Sequence, residues 1–187
     1  RIKALDIEYI CPSHGSVYDK PQIILGLYEK WMRGEPENLA LIAYVSTHGS
    51  TKLMAEHLQT ALEKRGVNVE LKDLVTVPLN ELAGLLTDAA TIVLGSSVVM
   101  AALHPVAVNT AFLLDRLKPK AKFAAVIGSY GWSPGPLQKA AELLPSWKVD
   151  VVGAVITKGH PGEQAMAELD ALADTIAAKH RGAGILK

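Results

Sequence analysis

From Leu39 onward, short apolar runs alternate with amphipathic helical stretches, and this alternation limits the fold more than any other feature of the chain. Residues 39–45 form a continuous apolar run, as a parallel strand buried on both faces would show. Residues 50–65 read as a helix, with Leu53, Met54, His57, Leu58, Ala61 and Leu62 on one stripe and Gly66 as its stop. Residues 67–71 alternate like an edge strand, and Pro78 opens a short helix to about Leu86. A third strand is expected at 90–95, a helix at 105–117 and a fourth strand at 121–128. A helix at 136–144 is ended by Pro145, and a fifth strand follows at 149–157. The closing helix, 163–180, would bury Met166, Leu169, Leu172, Ala173 and Ile176. Five strands with helical crossovers make an α/β fold: a five-stranded parallel sheet with helices on both faces. The expected strand order is 2-1-3-4-5. It places the ligand crevice at the carboxyl ends of the first and third strands, where the order reverses.

Residues 1–38 stand outside this alternation. Residues 7–10 can form a strand, 12–15 a turn and 22–33 a helix, while Gly34-Glu35-Pro36-Glu37-Asn38 has the composition of a linker. The segment is too short to build its own core. The chain starts at Arg1 inside what reads as a structured segment, as a piece of a longer protein would. Lys plus Arg and Asp plus Glu both number 19, so the net charge is zero. No basic stripe is present to neutralise a nucleic-acid backbone. No apolar run reaches the roughly 20 residues of a membrane span. Cys11 is the only cysteine, which rules out an intrachain disulfide and a CxxC pair and points to a reducing, cytoplasmic setting.

Three loops fall on the carboxyl rim of the expected sheet. The first is Ser46-Thr47-His48-Gly49-Ser50-Thr51, four hydroxyls and a glycine at a helix N-terminus. Hydroxyls, backbone N–H groups and the helix dipole suit a phosphate there. The loop holds no lysine and lacks both GxxxxGK[ST] and GxGxxG, which favours a bound cofactor over a hydrolysed nucleotide. The same residues would also serve as an ordinary helix cap. The second loop runs from Gly95 to His104, with Ser96 and Ser97 as donors and Val98, Val99 and Met100 as an apolar wall. The third runs from Gly128 to Gly135, where Ser129, Tyr130, Gly131 and Trp132 offer aromatic surface and close backbone approach. Aromatic residues are only 5% of the chain, so two in one rim loop favour a planar ligand over surface packing.

These loops, in this order, resemble those of the flavodoxin family, which hold the FMN phosphate and flank its isoalloxazine ring. Gly128-Ser129-Tyr130-Gly131-Trp132 is similar to the third-loop motif of flavodiiron proteins. Ile10-Cys11-Pro12-Ser13-His14-Gly15 is similar to the end of their metallo-β-lactamase-like domain. The resemblance implies a remnant of that domain plus linker at 1–38 and a flavodoxin-like FMN-binding domain at 39–187. It implies an electron-transfer module of an oxygen or nitric oxide reductase, with FMN as cofactor. It also implies a rubredoxin or an NAD(P)H-linked reductase as electron donor, the di-iron domain of the parent protein as acceptor, and a head-to-tail homodimer.

His14 matches a di-iron ligand of that family, but the upstream HxExD-type cluster is not in this sequence, and one histidine cannot hold two irons. The di-iron centre is therefore not encoded in this chain, no catalytic residue is assigned, and His14 is expected to be a free surface imidazole. His48 stands where the family often has a bulkier aromatic; it lies over the cofactor or points to solvent. Two competing readings carry less. A stand-alone FMN-dependent NAD(P)H:quinone-type reductase would share the fold, but no motif demands it. A receiver-type signalling domain needs carboxylates at the end of the first strand, and that strand ends Tyr44-Val45-Ser46.

Overall fold

The computed structural model of the chain describes residues 5–140 and 148–186. It divides into two compact units, one up to Glu35 and the other from Pro36 onward. In the first unit Ile10 and Tyr18 exchange two antiparallel backbone hydrogen bonds of 3.0 Å, and helix α1 (Pro21–Arg33) follows. The strand allowed at 7–10 reduces to this single bridge. Residues 11–20 are all exposed, His14 and the free Cys11 among them.

The second unit is built on parallel strands β1 (Glu37–Val45), β2 (Asn68–Asp73), β3 (Ala89–Val99), β5 (Phe123–Tyr130) and β6 (Asp150–Lys158). Their spatial order is β2-β1-β3-β5-β6, which is the expected 2-1-3-4-5. A two-residue strand, β4 (Ala102–Leu103), pairs antiparallel with the end of β3. Helices α2 (Ser50–Glu63), α3 (Leu79–Asp88), α4 (Pro105–Leu117), α5 (Gly135–Gln138) and α6 (Glu163–Gly182) connect and cover the sheet.

Period-two alternation along β1 explains why both faces are covered. Ala40, Ile42 and Tyr44 pack against Met54, Leu58 and Leu62 of α2 and Leu169, Ala173 and Ile176 of α6. Leu41, Ala43 and Val45 pack on the other side with Leu82 and Leu86 of α3 and Ala107, Ala111 and Leu114 of α4. Leu41, Ile42, Leu58 and Leu62 are wholly buried, and each side chain of that size contributes about 1.5–3 kcal/mol by leaving water.

Several expectations are corrected in detail. Glu37 and Asn38, read as linker, already belong to β1. The edge strand lies at Asn68–Asp73, one to two residues later than expected; Val67 donates its N–H to Leu62 O of α2 at 3.1 Å and so closes the helix instead of joining the ladder. Leu53, placed on the buried stripe of α2, is 40% exposed; the stripe turns instead through Thr51, Met54, Ala55 and Leu58. The third strand runs four residues past Gly95 and pairs with β4, so most of the expected second loop is a hairpin. Ser129 and Tyr130 likewise end β5. Residues 141–144 of the helix expected at 136–144 lie outside the described residues.

Candidate functional site

The first loop joins the end of β1 to α2. Gly49 occupies the N-cap of α2 at φ 87°, a left-handed conformation that a glycine takes without strain. A glycine has no side chain to cap with, and no side chain accepts from the first turn. The positive end of a 14-residue helix dipole therefore faces the loop with its donors uncapped. Ser46 Oγ is buried and has no hydrogen-bond partner, the one such side-chain atom among the described residues. An orphaned buried hydroxyl costs about 1–3 kcal/mol, so a group that accepts its proton would be stabilised here. Thr51 is fully buried in the first turn of α2, with its hydroxyl 3.4 Å from Ser129 Oγ. Lys52 is already engaged with Glu56 at 3.7 Å on the helix surface. Ser46, Thr51 and the uncapped N–H groups thus form a neutral donor set that suits a phosphate. Thr47 and His48 are exposed, and Ser50 is half-buried.

Thr47 Oγ1 lies 2.8 Å from Ser97 Oγ, which draws the first loop onto the second. Ser96 is turned inward at 1% exposure. Its hydroxyl donates to Ser97 O at 2.8 Å and accepts from His104 N at 3.2 Å, so its bonds stay within the hairpin. His104 caps α4, its Nδ1 accepting from Val106 N at 3.3 Å. Val98 pairs with Leu103 and Val99 with Ala102, which leaves Met100 and Ala101 as a two-residue turn at φ 50° and 59°. Such a turn normally recruits Asn-Gly, and left-handed backbone costs an L-residue roughly 1–2 kcal/mol. The turn holds Met100 out to 96% exposure, with Val98 and Val99 half-buried behind it.

On the third loop, Tyr130 ends β5 half-buried, and its carbonyl accepts from Gly159 N at 2.8 Å. Gly131 has open space around its Cα, and Trp132 is 99% exposed. An indole that large is seldom left fully in water without use, since an exposed large apolar group is the informative exception at a surface. The strand register places the loops together: Val45 is level with Ser96, Ser96 with Gly128, and Ser97 with Ser129. Gly128 itself is explained by packing. A Cβ there would collide with Ser96 O and lie 2.7 Å from Leu137 Cδ2.

Among the described residues, no three His, Cys, Asp or Glu side chains come together as a metal site would require. No helix among them is long and apolar enough to cross a membrane. One residue that sequence reasoning passed over is His180. It is wholly buried; its Nδ1 donates to Asn38 Oδ1 at 2.9 Å and its Nε2 accepts from Thr91 Oγ1 at 2.7 Å, which is a neutral imidazole. Burial lowers its pKa from 6.5 to about 4. The spacing Ala173, Ile176, Ala177, His180 along the buried face of α6 was the available signal. His180 sits at the amino ends of β1 and β3, away from the three loops, and its role is structural.

No family model matches the chain. A nitric oxide reductase from Moorella thermoacetica is 32% identical over 149 residues, 79% of this chain and 37% of that one. The solved rubredoxin oxygen:oxidoreductase from Desulfovibrio gigas superposes with a TM-score of 0.86 at 26% identity, covering 94% of this chain and 45% of that one. A solved flavodoxin from the domain Archaea gives a TM-score of 0.63 at 28% identity, covering 76% of this chain and 99% of that one. The chain spans less than half the length of the curated relatives it matches. In sequence and in structure, this chain matches the flavodoxin-like portion of flavodiiron proteins.

Proposed function

We propose that this chain binds one FMN without a covalent bond, and that it serves as the electron-transfer module of a flavodiiron-type oxygen or nitric oxide reductase. The observation that carries the proposal is Ser46 Oγ, a buried hydroxyl without a partner in the loop that leads into the uncapped N-terminus of α2. Ser46, Thr51 and the first-turn N–H groups of α2 would hold the phosphate. Trp132, Tyr130, Met100, Val98 and Val99 would flank the ring. When bound, FMN would supply reversible one- and two-electron redox chemistry. The residues here orient it, shield it from water and set the charge around it. No Lys or Arg occurs within residues 96–104 or 129–135, so the ring would be held by stacking and backbone donors.

On this reading the electron donor is a rubredoxin or an NAD(P)H-linked reductase. A matched relative carries the name rubredoxin-oxygen oxidoreductase, which supports the first. The acceptor is the di-iron domain of the parent protein, reached across a head-to-tail homodimer in the cytoplasm. The zero net charge suits transfer over short range in a fixed complex rather than long-range steering. Titration of flavin-free protein with FMN, followed by fluorescence, tests the proposal. Quenching that saturates at one FMN per chain at micromolar concentration is expected. An absence of quenching in that range would remove the cofactor and with it the function.

A further inference from the structure

We infer that the face built by α4, the turn into β5 and α5 is a docking surface for an acidic protein. That this protein is the electron donor rests on the FMN reading above; the surface itself does not. The net charge of zero conceals a segregation of charge along the chain. Residues 89–141 hold five cations, Arg116, Lys118, Lys120, Lys122 and Lys139, and one acid, Asp115. The remaining residues hold 14 cations and 18 acids. Asp115 is buried, whereas all five cations are exposed. In the rest of the fold, cations are neutralised by their own neighbours. Lys52 meets Glu56, Arg65 meets Asp174, Lys72 meets Glu70 and Glu81, and Lys179 meets Asp150. Arg116, Lys118, Lys122 and Lys139 form no ion pair among the described residues. The helix dipole would favour a cation at the end of α4, where Arg116 and Lys118 lie. Lys120, Lys122 and Lys139 stand beyond that helix, so its dipole does not account for them.

α4 and α5 cover the same face of the sheet, over Ala124 and Val126 of β5. That face also exposes Val108 and Phe112, one helical turn apart, and Leu117. The guanidinium carbon of Arg116 lies 5.3 Å from the centre of the Phe112 ring. Stacking of this kind holds the guanidinium in place, ready for a bidentate carboxylate. An exposed aromatic and apolar centre with an Arg and a cationic border has the composition of a protein–protein interface. A phosphate backbone offers no counterpart to Val108 and Phe112. A helix lying in a bilayer surface carries its cations along the flanks of its apolar stripe. Here they trail from the end of α4 into β5 and across to α5. The helix opens at Pro105, directly after the second loop, and its 13 residues span about 20 Å. A partner held at Arg116 and Lys118 and lying along α4 therefore reaches the loop that the proposed function sets against the ring.

Carbodiimide cross-linking tests the surface, because it joins a carboxylate to a lysine amine only where the two are in contact. The probe is a rubredoxin with a net negative charge at pH 7. Peptide mass mapping is expected to find cross-links at Lys118, Lys120, Lys122 and Lys139. They should exceed those at the exposed Lys64 and Lys158 by roughly fivefold or more, and about 0.5 M sodium chloride should suppress them. In FMN-loaded protein, Arg116→Glu combined with Lys118→Glu should slow flavin reduction by the reduced rubredoxin roughly tenfold. The same variant should be reduced by dithionite at the parent rate. Both positions are exposed, so the variant should fold as the parent does. Cross-links spread evenly over the exposed lysines would overturn the proposal, as would a variant that rubredoxin reduces at the parent rate. Binding of phosphatidylserine vesicles or duplex DNA that needs these cations, with no such need for rubredoxin, would overturn it too. Protein that binds no FMN yet cross-links at these four lysines would overturn the function proposed above and leave the docking surface standing.

Discussion

Thr47 Oγ1 and Ser97 Oγ lie 2.8 Å apart, although 50 residues separate them in the chain. The contact exists because β1 and β3 are neighbours, with Val45 level with Ser96. Strand order reverses at this pair, which is where open parallel sheets bind their ligands. The first and second loops are thus brought together at the carboxyl ends of these two strands.

Ser46→Ala should have effects of opposite sign on the flavin-free and FMN-bound protein. Removing a buried hydroxyl that has no partner should stabilise the flavin-free chain, by up to about 1–3 kcal/mol. The same change should weaken FMN by about 1.5–3 kcal/mol, the worth of a hydrogen bond to a charged group. Thr51→Ala should likewise weaken FMN more than riboflavin, which has no phosphate. Chemical denaturation of the flavin-free variants, set beside titrations with both flavins, checks this. Equal losses for FMN and riboflavin would take these hydroxyls out of a phosphate site.

Trp132 is 99% exposed, so its replacement by alanine should leave the stability of the flavin-free protein within about 0.5 kcal/mol. It should nonetheless weaken FMN and open the ring to solvent. Ser133→Lys should leave stacking intact and raise the potential for forming the anionic reduced flavin, since a nearby cation favours that charge. Redox titration beside FMN affinity separates packing from electrostatics. If Trp132→Ala moved neither quantity, the third loop would not touch the flavin.

Two glycines of the same rim should differ in their response to alanine. Gly128→Ala drives a Cβ into Ser96 O and the Leu137 side chain, so the strand or α5 must shift. A loss of about 1–3 kcal/mol, the usual cost of overpacking, is expected. Gly131→Ala meets no atom within 4 Å and should be nearly neutral in stability. Urea midpoints of the two variants decide the point, and a Gly128→Ala protein as stable as the parent would refute the packing described here.

His180 gives the fold a dependence on acid. Its pKa in the folded chain is about 4, lowered by burial, against 6.5 when free. Between these values the unfolded chain binds a proton that the folded chain does not, so stability falls as pH falls from 6.5 towards 4. Over that window the loss should reach about 3 kcal/mol, and no further loss comes from this group below it. His180→Gln should be less stable at pH 7, having given up the bonds to Thr91 and Asn38, but should show a flatter slope through the window. Urea unfolding at a series of pH values measures both. A variant with the parent slope would assign the acid sensitivity to other groups.

The periodicities that define this fold are local, so they are legible in the amino-acid sequence. The apolar run at 39–45, the stripe from Met54 to Leu62 and the helix opened by Pro105 each depend on residues within a few positions of one another. Their alternation leaves few sheets to choose from, because parallel strands need crossovers and crossovers are right-handed. The Ser/Thr-rich loop at 46–51 and the aromatic loop at 128–132 were visible for the same reason: hydroxyls, glycines and aromatics are read directly from the chain.

Tertiary structure decided what depends on distant partners. Met100-Ala101 carries no Gly or Asn to announce a turn, and the left-handed backbone there is imposed by the pairing of β3 with β4. Leu53 falls off the buried stripe because only the packed sheet sets which face of α2 turns inward. The partners of His180 stand 89 and 142 residues away, at Thr91 and Asn38, so neither its burial network nor its lowered pKa has a local signature. Ser46 is the sharpest instance. The sequence identifies it as a hydroxyl beside a helix N-terminus, but whether that hydroxyl is satisfied depends on every atom packed around it. Only the folded chain leaves it buried and without a partner.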